Sequence, residues 1–493
     1  TSVFGVLKNL VASALPAKVG IGAAILNEDY NLNSSVQFVA SVGATNDTLV
    51  KAKDVNIVST TDSNLVSFSM KGNSGGGPSL DGSVVNVDYN TNTNANKTLI
   101  GENVLFELGN KIDILALDNL DNITIAGGVK LGSDPVGGGF GVAVVDTNRK
   151  VESIFKGEID FSSTNGSNSI LKNAQLSGES FALGAAVGVA KPSTYLPPYG
   201  VSAAASMSIL KTENTISSVF SGSFDTTGEA VNRLAIKAFD NSENVQSAGA
   251  LNIATGVTGG IASVGAAGNY INLNNTILAQ VEGVNSSSFD LGNITVESAD
   301  YSTLEMYSIA GSGALTILGS SAALAASVNT LINNTQITSE IKGSAIKAKE
   351  ITVAAMDSAT SGGNKETLMI TGGIALGGGL GLGASVATYN ANKVIRSGLT
   401  HSILESTTSV DVNAAKNESV ESYVVAGGVG GVVGIAGAVS VYNAGSSVVS
   451  QIDNTSITSP LLNLNSNNSG SILVVNVAAG VGGTAGLAGS VVV

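Results

Sequence analysis

The chain of 493 residues is poor in charge and in large side chains: 12% of its residues are charged, 4% are aromatic and 61 are glycine. It has no cysteine, no tryptophan and one histidine, which excludes a disulfide scaffold, a thiolate metal site and a site built from several histidines. The net charge of −14 argues against nucleic acid as a partner, because phosphates are bound by surfaces rich in lysine and arginine.

The first half of the chain predicts irregular β-structure with long loops. A helix is predicted over residues 3–15, where apolar residues recur at helical spacing until Pro16. After it, Val, Ile and Thr alternate with small polar residues, which predicts strands. The notable loops are the glycine-rich segment 71–78 and the segment 191–199, which holds three of the seven prolines and two of the ten tyrosines.

Loops on a rigid scaffold often carry binding sites, so the segment 191–199 is the candidate binding loop. The alternative is a simple insertion or a short cap. The candidate binding residues are Lys191, Pro192, Tyr195, Pro197, Pro198 and Tyr199.

A Gly/Ala-rich apolar run that ends in an Asn-containing step recurs along the chain, most clearly after residue 250. Two copies are residues 383–390 and 437–443. Successive copies are about 53–63 residues apart, a spacing typical of solenoids and arrays. Alternating stretches such as 410–414 follow each copy and predict strands. A helix is disfavoured, since each interior glycine would cost it ~1 kcal/mol.

The repeats predict an all-β fold, a parallel β-solenoid with protruding loops. We expect coils of about 20 residues, two or three per repeat, and a rod on the order of 100 Å long. Val, Ile, Leu and Ala would fill the core, Asn and Ser/Thr ladders would line the corners, and glycines would mark corners or close approaches. One continuous solenoid is expected, irregular over residues 1–249 and regular over residues 250–493.

Two membrane alternatives are disfavoured. The apolar run 372–389 is long enough to form a membrane-spanning helix. However, it is dense in glycine and lacks flanking Lys or Arg anchors. A transmembrane β-barrel needs aromatic girdles, which 12 Phe, 10 Tyr and no Trp would hardly build. This segment is therefore expected not to insert into a membrane.

Catalytic motifs are weak. Ser74 lies in a G-x-S-x-G match over residues 72–76, but a serine nucleophile needs a base beside it. The only histidine, His401, is more than 300 residues downstream, and distant residues of a solenoid lie far apart. His401 itself is predicted to be an outward strand residue. A match to the dinucleotide-binding pattern at residues 379–384 is expected by chance among so many glycines.

Acidic residues are sparse, and the nearest groups are Glu28-Asp29 and the trio Asp113, Asp118 and Asp121. The irregular spacing of the trio around an apolar strand favours turn positions over a catalytic carboxylate pair. The sequence therefore predicts no catalytic residues, no metal and no cofactor, and a protein that is not an enzyme.

The repeat over residues 426–443, followed by the alternating stretch 448–454, resembles the passenger regions of giant type V autotransporter adhesins and leukotoxin-like surface proteins of anaerobic Gram-negative bacteria. The likeness is clear over residues 250–493. It implies a right-handed parallel β-helix, export through a C-terminal outer-membrane barrel and display at the cell surface. It transfers no catalytic residues. We interpret the chain as a segment of a longer protein.

Three functions remain open at this stage. The first is an extracellular adhesin segment that binds a protein or glycan on host or bacterial cells. The second is a structural stalk that presents a binding tip elsewhere in the parent protein. The third is a carbohydrate-active β-helix enzyme or a toxin segment. No heptad stalk typical of trimeric adhesins is visible, so a monomeric rod is expected.

Overall fold

The computed structural model describes residues 19–29, 39–42, 48–73, 79–90, 96–131, 136–161, 168–190, 200–224, 230–258, 260–359 and 365–493. All regular structure in these ranges is β-strand, so none of these residues lies in a helix that could cross a membrane. The helix predicted for residues 3–15 lies outside the described residues.

The described residues form thirty strands, and the long ones run to 28 residues. In chain order they are β1 (Val19–Asp29), β2 (Val39–Val42), β3 (Thr48–Asn73), β4 (Ser79–Asn90), β5 (Asn96–Ile100), β6 (Val104–Leu131), β7 (Val136–Asn148), β8 (Lys150–Phe155), β9 (Glu158–Phe161), β10 (Ser169–Ala190), β11 (Gly200–Thr212), β12 (Thr215–Phe220), β13 (Ser223–Phe224), β14 (Arg233–Thr258), β15 (Ile261–Leu273), β16 (Thr276–Glu282), β17 (Asn285–Asp300), β18 (Thr303–Leu318), β19 (Ser321–Asn333), β20 (Gln336–Lys342), β21 (Ala345–Asp357), β22 (Lys365–Gly377), β23 (Leu380–Ala391), β24 (Val394–Thr400), β25 (Ile403–Gly430), β26 (Val433–Ala444), β27 (Ser447–Asp453), β28 (Ser456–Thr458), β29 (Leu462–Gly482) and β30 (Ala485–Val492).

The strands stack into three parallel sheets. Sheet A has nine strands in the order β1-β4-β7-β11-β15-β19-β23-β26-β30, and sheet B has eight in the order β2-β5-β8-β12-β16-β20-β24-β27. The remaining thirteen strands form sheet C. Neighbours in each sheet come from successive repeats and pair in parallel. The fold is a parallel β-solenoid, as the sequence predicts.

Each sequence repeat makes one complete coil. Along sheet A, paired residues are 52 (Val433 with Ala485) to 65 (Gly137 with Ser202) positions apart. The repeat length expected from the sequence is confirmed, but the coil of about 20 residues and the rod of about 100 Å are wrong. Nine strands at ~4.8 Å spacing make sheet A about 40 Å wide. The prediction failed because it took strands to be short.

One coil passes from sheet A to sheet B and then through two successive segments of sheet C. We call these segments the first arm and the second arm of the coil. In the coil that starts at Ile261, β15 lies in sheet A, β16 in sheet B, β17 forms the first arm and β18 the second. In the preceding coil a single bent strand, β14, serves both arms and pairs with both β17 and β18. Since β14 spans residues 233–258, the sheets continue without a break across residue 250.

The core between sheet B and the first arm is built from large apolar residues. A ladder of four phenylalanines, Phe106, Phe155, Phe220 and Phe224, runs through three coils with ring centroids 6.0, 4.9 and 5.7 Å apart. Each buried side chain of this size contributes about 1.5–3 kcal/mol relative to exposure. This part of the solenoid follows the usual rule of apolar residues inside.

The second arm and the beginning of sheet A form a thin two-layer wing. We define the wing as residues 182–190, 200–208, 244–270, 306–330, 367–388 and 422–441. Between its layers lies a cluster made almost wholly of alanine, and one set of its glycines lies where the layers touch. A Cβ on Gly383 would lie 2.1 Å from the carbonyl oxygen of Gly427, and one on Gly428 would lie 1.9 Å from that of Ile435. Close approach is therefore the role of these glycines.

The wing reverses the expected direction of its side chains. The larger residues of the run 429–439, such as Val429 and Ile435, face outward, while Gly428, Gly434 and Ala436 face the other layer. The prediction that Val, Ile and Leu fill the core is wrong here, because the layers are too close for them. Small polar residues share this interior, as in the ladder from Asn269 to Asn329 (Nδ2 to Oδ1, 3.0 Å).

Candidate functional site

The predicted binding loop leaves the fold at the tip of the wing. Lys191, Pro192, Tyr195, Pro197, Pro198 and Tyr199 all lie outside the described residues. The strands on either side are described: β10 ends the second arm at Ala190, and β11 begins sheet A at Gly200. Both ends of the loop are therefore at the edge where the second arm turns into sheet A, which we call the wing tip.

Of the two residues considered as a serine nucleophile and its base, the structure describes only the histidine. Ser74 lies outside the described residues. His401 is exposed, as expected, but it lies in the turn between β24 and β25 with φ of 51°, not in a strand. Its backbone N–H donates to the carbonyl of Asp453 at 3.0 Å. No group of three or more His, Cys, Asp or Glu that could bind a metal occurs among the described residues.

An apolar groove of about 580 Å³ crosses the start of sheet A at the wing tip. Its floor follows from one row of paired residues, in which Ala262 and Ala322 lie between the larger Val201 and Leu380. The two alanines leave a depression across neighbouring coils. The groove is lined by Gly200, Val201, Gly260, Ile261, Ala262, Ser320, Ser321, Ala322, Gly379, Leu380, Val432 and Val433.

The groove has the chemistry of a binding site for apolar groups. None of its lining residues is charged, and Ser320 and Ser321 are the only side chains with a polar atom. Its volume falls in the range of small-molecule and side-chain pockets, about 300–1,000 Å³. Gly200, where the predicted loop rejoins the fold, is one of its walls. The groove and the loop ends thus meet at one place on the molecule.

Charged side chains gather instead in a buried ionic seam where the three sheets meet. The seam joins the bend of the sheet C strands to the turns from sheet A to sheet B. It consists of Asp118, Arg149, Asp240, Asp300, Asp357, Lys365, Lys393, Lys416 and Glu418, all nine-tenths or more buried.

The seam is a chain of ion pairs that passes from coil to coil. Lys365 Nζ lies 2.7 Å from Asp300 Oδ2 and 3.1 Å from Asp357 Oδ1. Lys393 Nζ lies 2.7 Å from Asp357 Oδ2 and 3.1 Å from Glu418 Oε1. Each lysine therefore bridges two carboxylates, which compensates their removal from water.

Asp240 stands apart within the seam. Its Oδ1 accepts hydrogen bonds from the N–H and hydroxyl of Ser242 at 3.1 and 2.8 Å, and its Oδ2 accepts one from Asn275 Nδ2 at 3.2 Å. Asp300 is its neighbour on the next coil. Burial, together with the charge of Asp300, raises the pKa of Asp240 to about 6.

At Asp357, the lysines of the seam outweigh the rise in pKa that burial alone would cause. Burial would raise the pKa of its carboxyl, but Lys365 and Lys393 outweigh burial and hold the pKa well below its usual range. Burial would likewise lower the pKa of the Lys393 ammonium, and the carboxylates of Asp357 and Glu418 instead raise it well above its usual value. Both partners thus stay charged inside the protein.

The seam gives a role to one residue that the sequence analysis misread. Asp113, Asp118 and Asp121 lie within strand β6, so the prediction that they mark turns is wrong. Asp118 points inward, and its Oδ2 lies 3.1 Å from Arg149 Nε. A carboxylate can sit in a strand interior when a cation from another strand reaches it.

The seam and the groove were both missed by sequence reasoning. A signal for the seam is present in the repeats: the step Asp-x-Ser occurs at Asp240 and again at Asp300, one coil later. The groove had no such signal, because alanines are common throughout the chain and only the register shows which of them share a row.

No protein family, no curated protein and no solved structure matches the chain.

Proposed function

We propose that this protein is an adhesive segment displayed outside the bacterial cell, which binds a receptor on host or bacterial cells at the wing tip. The observation that carries the proposal is the apolar groove, which lies next to the point where the loop 191–199 rejoins the fold. A rigid scaffold that presents a loop beside a groove is a common arrangement for recognition. The likeness of the repeats to autotransporter passengers supports the extracellular setting.

The distribution of charge favours binding over catalysis. The ionisable side chains of the seam are closed to solvent. The exposed ion pairs of the described residues, such as Lys51 with Glu107 and Lys342 with Glu282, are simple pairs of opposite charge on the surface of the strands. Lys172 has a depressed pKa because it is buried, and an amine of this kind can be a nucleophile. It is fully enclosed in the core, however, where its Nζ donates to the carbonyl of Ser153, so no substrate reaches it.

The chemistry of the groove favours a protein receptor over a glycan. Its walls offer methyl and methylene groups and hardly any hydrogen-bonding side chains. Apolar side chains of a receptor would bury this surface favourably, at about 25 cal/mol per Å². The hydroxyl groups of a glycan would lose water there without gaining partners.

Titration of the labelled chain onto epithelial, immune and bacterial cells tests this proposal. We expect saturable binding that protease treatment of the cells abolishes and glycosidase treatment does not. Val201→Asp and Val432→Asp, which place charge in the groove at residues 43% and 51% exposed, should weaken binding. Val328→Asp is the matched control, because Val328 is 40% exposed on the same face but does not line the groove.

Replacement of residues 191–199 with a short Gly/Ser link separates the loop from the groove. We expect reduced cell binding with the β-rich circular dichroism spectrum unchanged. Unchanged binding would remove the loop from the site. An absence of binding by the folded wild-type chain would overturn the proposal and favour the structural stalk, which the unbroken register of the coils also allows.

A further inference from the structure

The outer face of the second arm is a second unpartnered surface of the wing, on the side opposite to the groove. Rows of paired residues cross it from coil to coil. One row runs Gly249, Ile309, Gly372, Val425 and the next runs Leu251, Gly311, Ile374, Gly427. We call this surface the corrugated face, since a large residue alternates with a glycine along each row.

We propose that two copies of this chain associate through their corrugated faces, related by a two-fold axis that lies between the faces. This association is independent of receptor binding at the wing tip.

The large residues of the corrugated face are unusually exposed for their type. Leu251 is 50% exposed, Ile309 56% and Ile374 48%. The two rows are out of phase, so the large residues form a checkerboard with glycines between them. A two-fold axis can set the large residues of one copy into the glycine hollows of the other, because an isologous interface needs a surface complementary to itself.

Two of the glycines are not explained by the packing of the chain itself. A Cβ on Gly249 or on Gly372 would meet no atom within 4 Å, and neither residue has the positive φ that favours glycine. Alanine at such a strand position would be more stable by about 0.5–1 kcal/mol. An opposing side chain that enters the hollow accounts for glycine at these two positions.

Charge also favours a second copy of this chain. The net charge of −14 makes two copies repel one another. Residues 244–258, 306–318, 367–377 and 422–430, which carry the corrugated face, include no charged residue. Two copies can therefore approach through this face with little repulsion, and its own uncharged surface is the complement that it needs. The sheet A side of the wing is equally uncharged over residues 261–270, 321–330, 380–388 and 433–441, so the corrugation and not the charge distinguishes the two faces.

The size of the face suits a modest dimer. Four coils at ~4.8 Å and about eight residues at ~3.3 Å give roughly 500 Å² per copy. A pair would bury about 1,000 Å², which is the minimum for a specific interface. Lipid is the other occupant that an apolar face suggests, but fluid acyl chains gain nothing from a fixed pattern of ridges and hollows. The corrugation thus favours a rigid partner with the same pattern.

Sedimentation velocity of the whole chain over about 1–100 µM, where interfaces of this size associate, tests the proposal. We expect a concentration-dependent dimer. Ile309→Lys combined with Ile374→Lys should weaken dimerisation by about tenfold or more. Val264→Lys combined with Leu324→Lys, on the sheet A side at 37% and 38% exposure, is the matched control and should remain dimeric.

Gly372→Val provides a second variant that does not depend on a buried charge. It fills a hollow that is open in the single chain, so the melting temperature of the monomer should stay the same while dimerisation weakens.

A wild-type chain that stays monomeric at the highest concentration overturns the proposal, as does a control pair that dissociates as readily as the corrugated-face pair. Monomers that instead co-sediment with phosphatidylcholine vesicles would assign the face to lipid. Cell binding by a monomeric chain would leave the adhesive function standing.

Discussion

Asp240 shows how a single residue responds to its place in the ionic seam. Its carboxylate accepts hydrogen bonds from Asn275 and Ser242, and Asp300 is its paired residue on the next coil. Lys365 and Arg149 lower its pKa, but burial and Asp300 outweigh them. The pKa of Asp240 is therefore raised to about 6, so its carboxyl takes up a proton as pH falls from 7 to 5, whereas the carboxyl of Asp357 stays ionised.

The pH dependence of stability follows from this shift. The pKa of Asp240 is about 6 in the folded chain and about 3.9 when unfolded. A raised pKa contributes stability that is fully present below the unfolded value and is lost as pH rises through the folded value. From this group we expect the free energy of unfolding to increase as pH falls from 7 to 5, on the order of 1 kcal/mol.

Chemical denaturation of wild type and Asp240→Asn across pH 5–7 measures the effect. The variant has no carboxyl to titrate at this position, so the increase should vanish. Glu366→Gln, at an exposed position of β22, is the control and should keep it. The carboxyls of Asp357 and Glu418, with lowered pKa values, act only at lower pH. An identical pH profile in wild type and Asp240→Asn would contradict the assignment.

At the residue scale, the sequence predicts exposure better than partnership. His401 is exposed as expected, but it lies in a turn and not in the outward strand position that the sequence predicts. The pairing of Lys365 with Asp300 was not predictable from spacing, because it joins the bends of neighbouring coils. Partners of this kind become visible only when the repeat is aligned as a coil.

At the scale of the strand, the wing depends on how closely its two layers approach. Gly383 lies in β23, where its missing side chain would fall 2.1 Å from the carbonyl oxygen of Gly427 and 2.8 Å from that of Gly373. A methyl group cannot fit between two backbones at that distance without moving a whole sheet. The inward-facing glycines of the repeats, such as Gly383 and Gly428, are thus a requirement of packing between the layers.

Alanine substitution at two glycines of neighbouring coils tests this requirement. Gly383→Ala should lower the free energy of unfolding by about 3 kcal/mol or more, since overpacking of this kind forces backbone shifts. Gly437→Ala should be neutral or stabilising by about 0.5–1 kcal/mol, because a Cβ there meets nothing within 4 Å. Thermal and denaturant unfolding of both variants gives the comparison. Equal losses in the two variants would show that the layers are further apart than described.

Strands were predictable as elements, but their lengths and faces were not. Alternation of Val, Ile and Thr with small residues indicates a strand wherever it occurs. It does not say which face is buried, and in the wing the small residues are inside. The usual assumption that large apolar residues face the core therefore predicts the wrong buried face for the strands of the wing.

At the scale of the whole molecule, the architecture of the solenoid is set by one coil per sequence repeat. The repeat length was predictable because each copy preserves the same Gly/Ala run. The number of coils per repeat was not, since a bend inside a continuous strand such as β25 leaves no clear break in the pattern. The rows of the groove and of the corrugated face follow from this geometry, because each row joins residues about 60 positions apart.

A distance between two labels on sheet A distinguishes one coil per repeat from coils of about 20 residues. Asn86 and Val441 lie in one row of sheet A and are joined through Val144, Ile209, Tyr270, Thr330 and Thr388. The chain has no cysteine, so Asn86→Cys with Val441→Cys gives a clean pair of spin-label sites. Six steps of ~4.8 Å predict a separation of about 30 Å by double electron–electron resonance. Coils of about 20 residues would place the same labels roughly 85 Å apart, and a distance of that size would contradict the account.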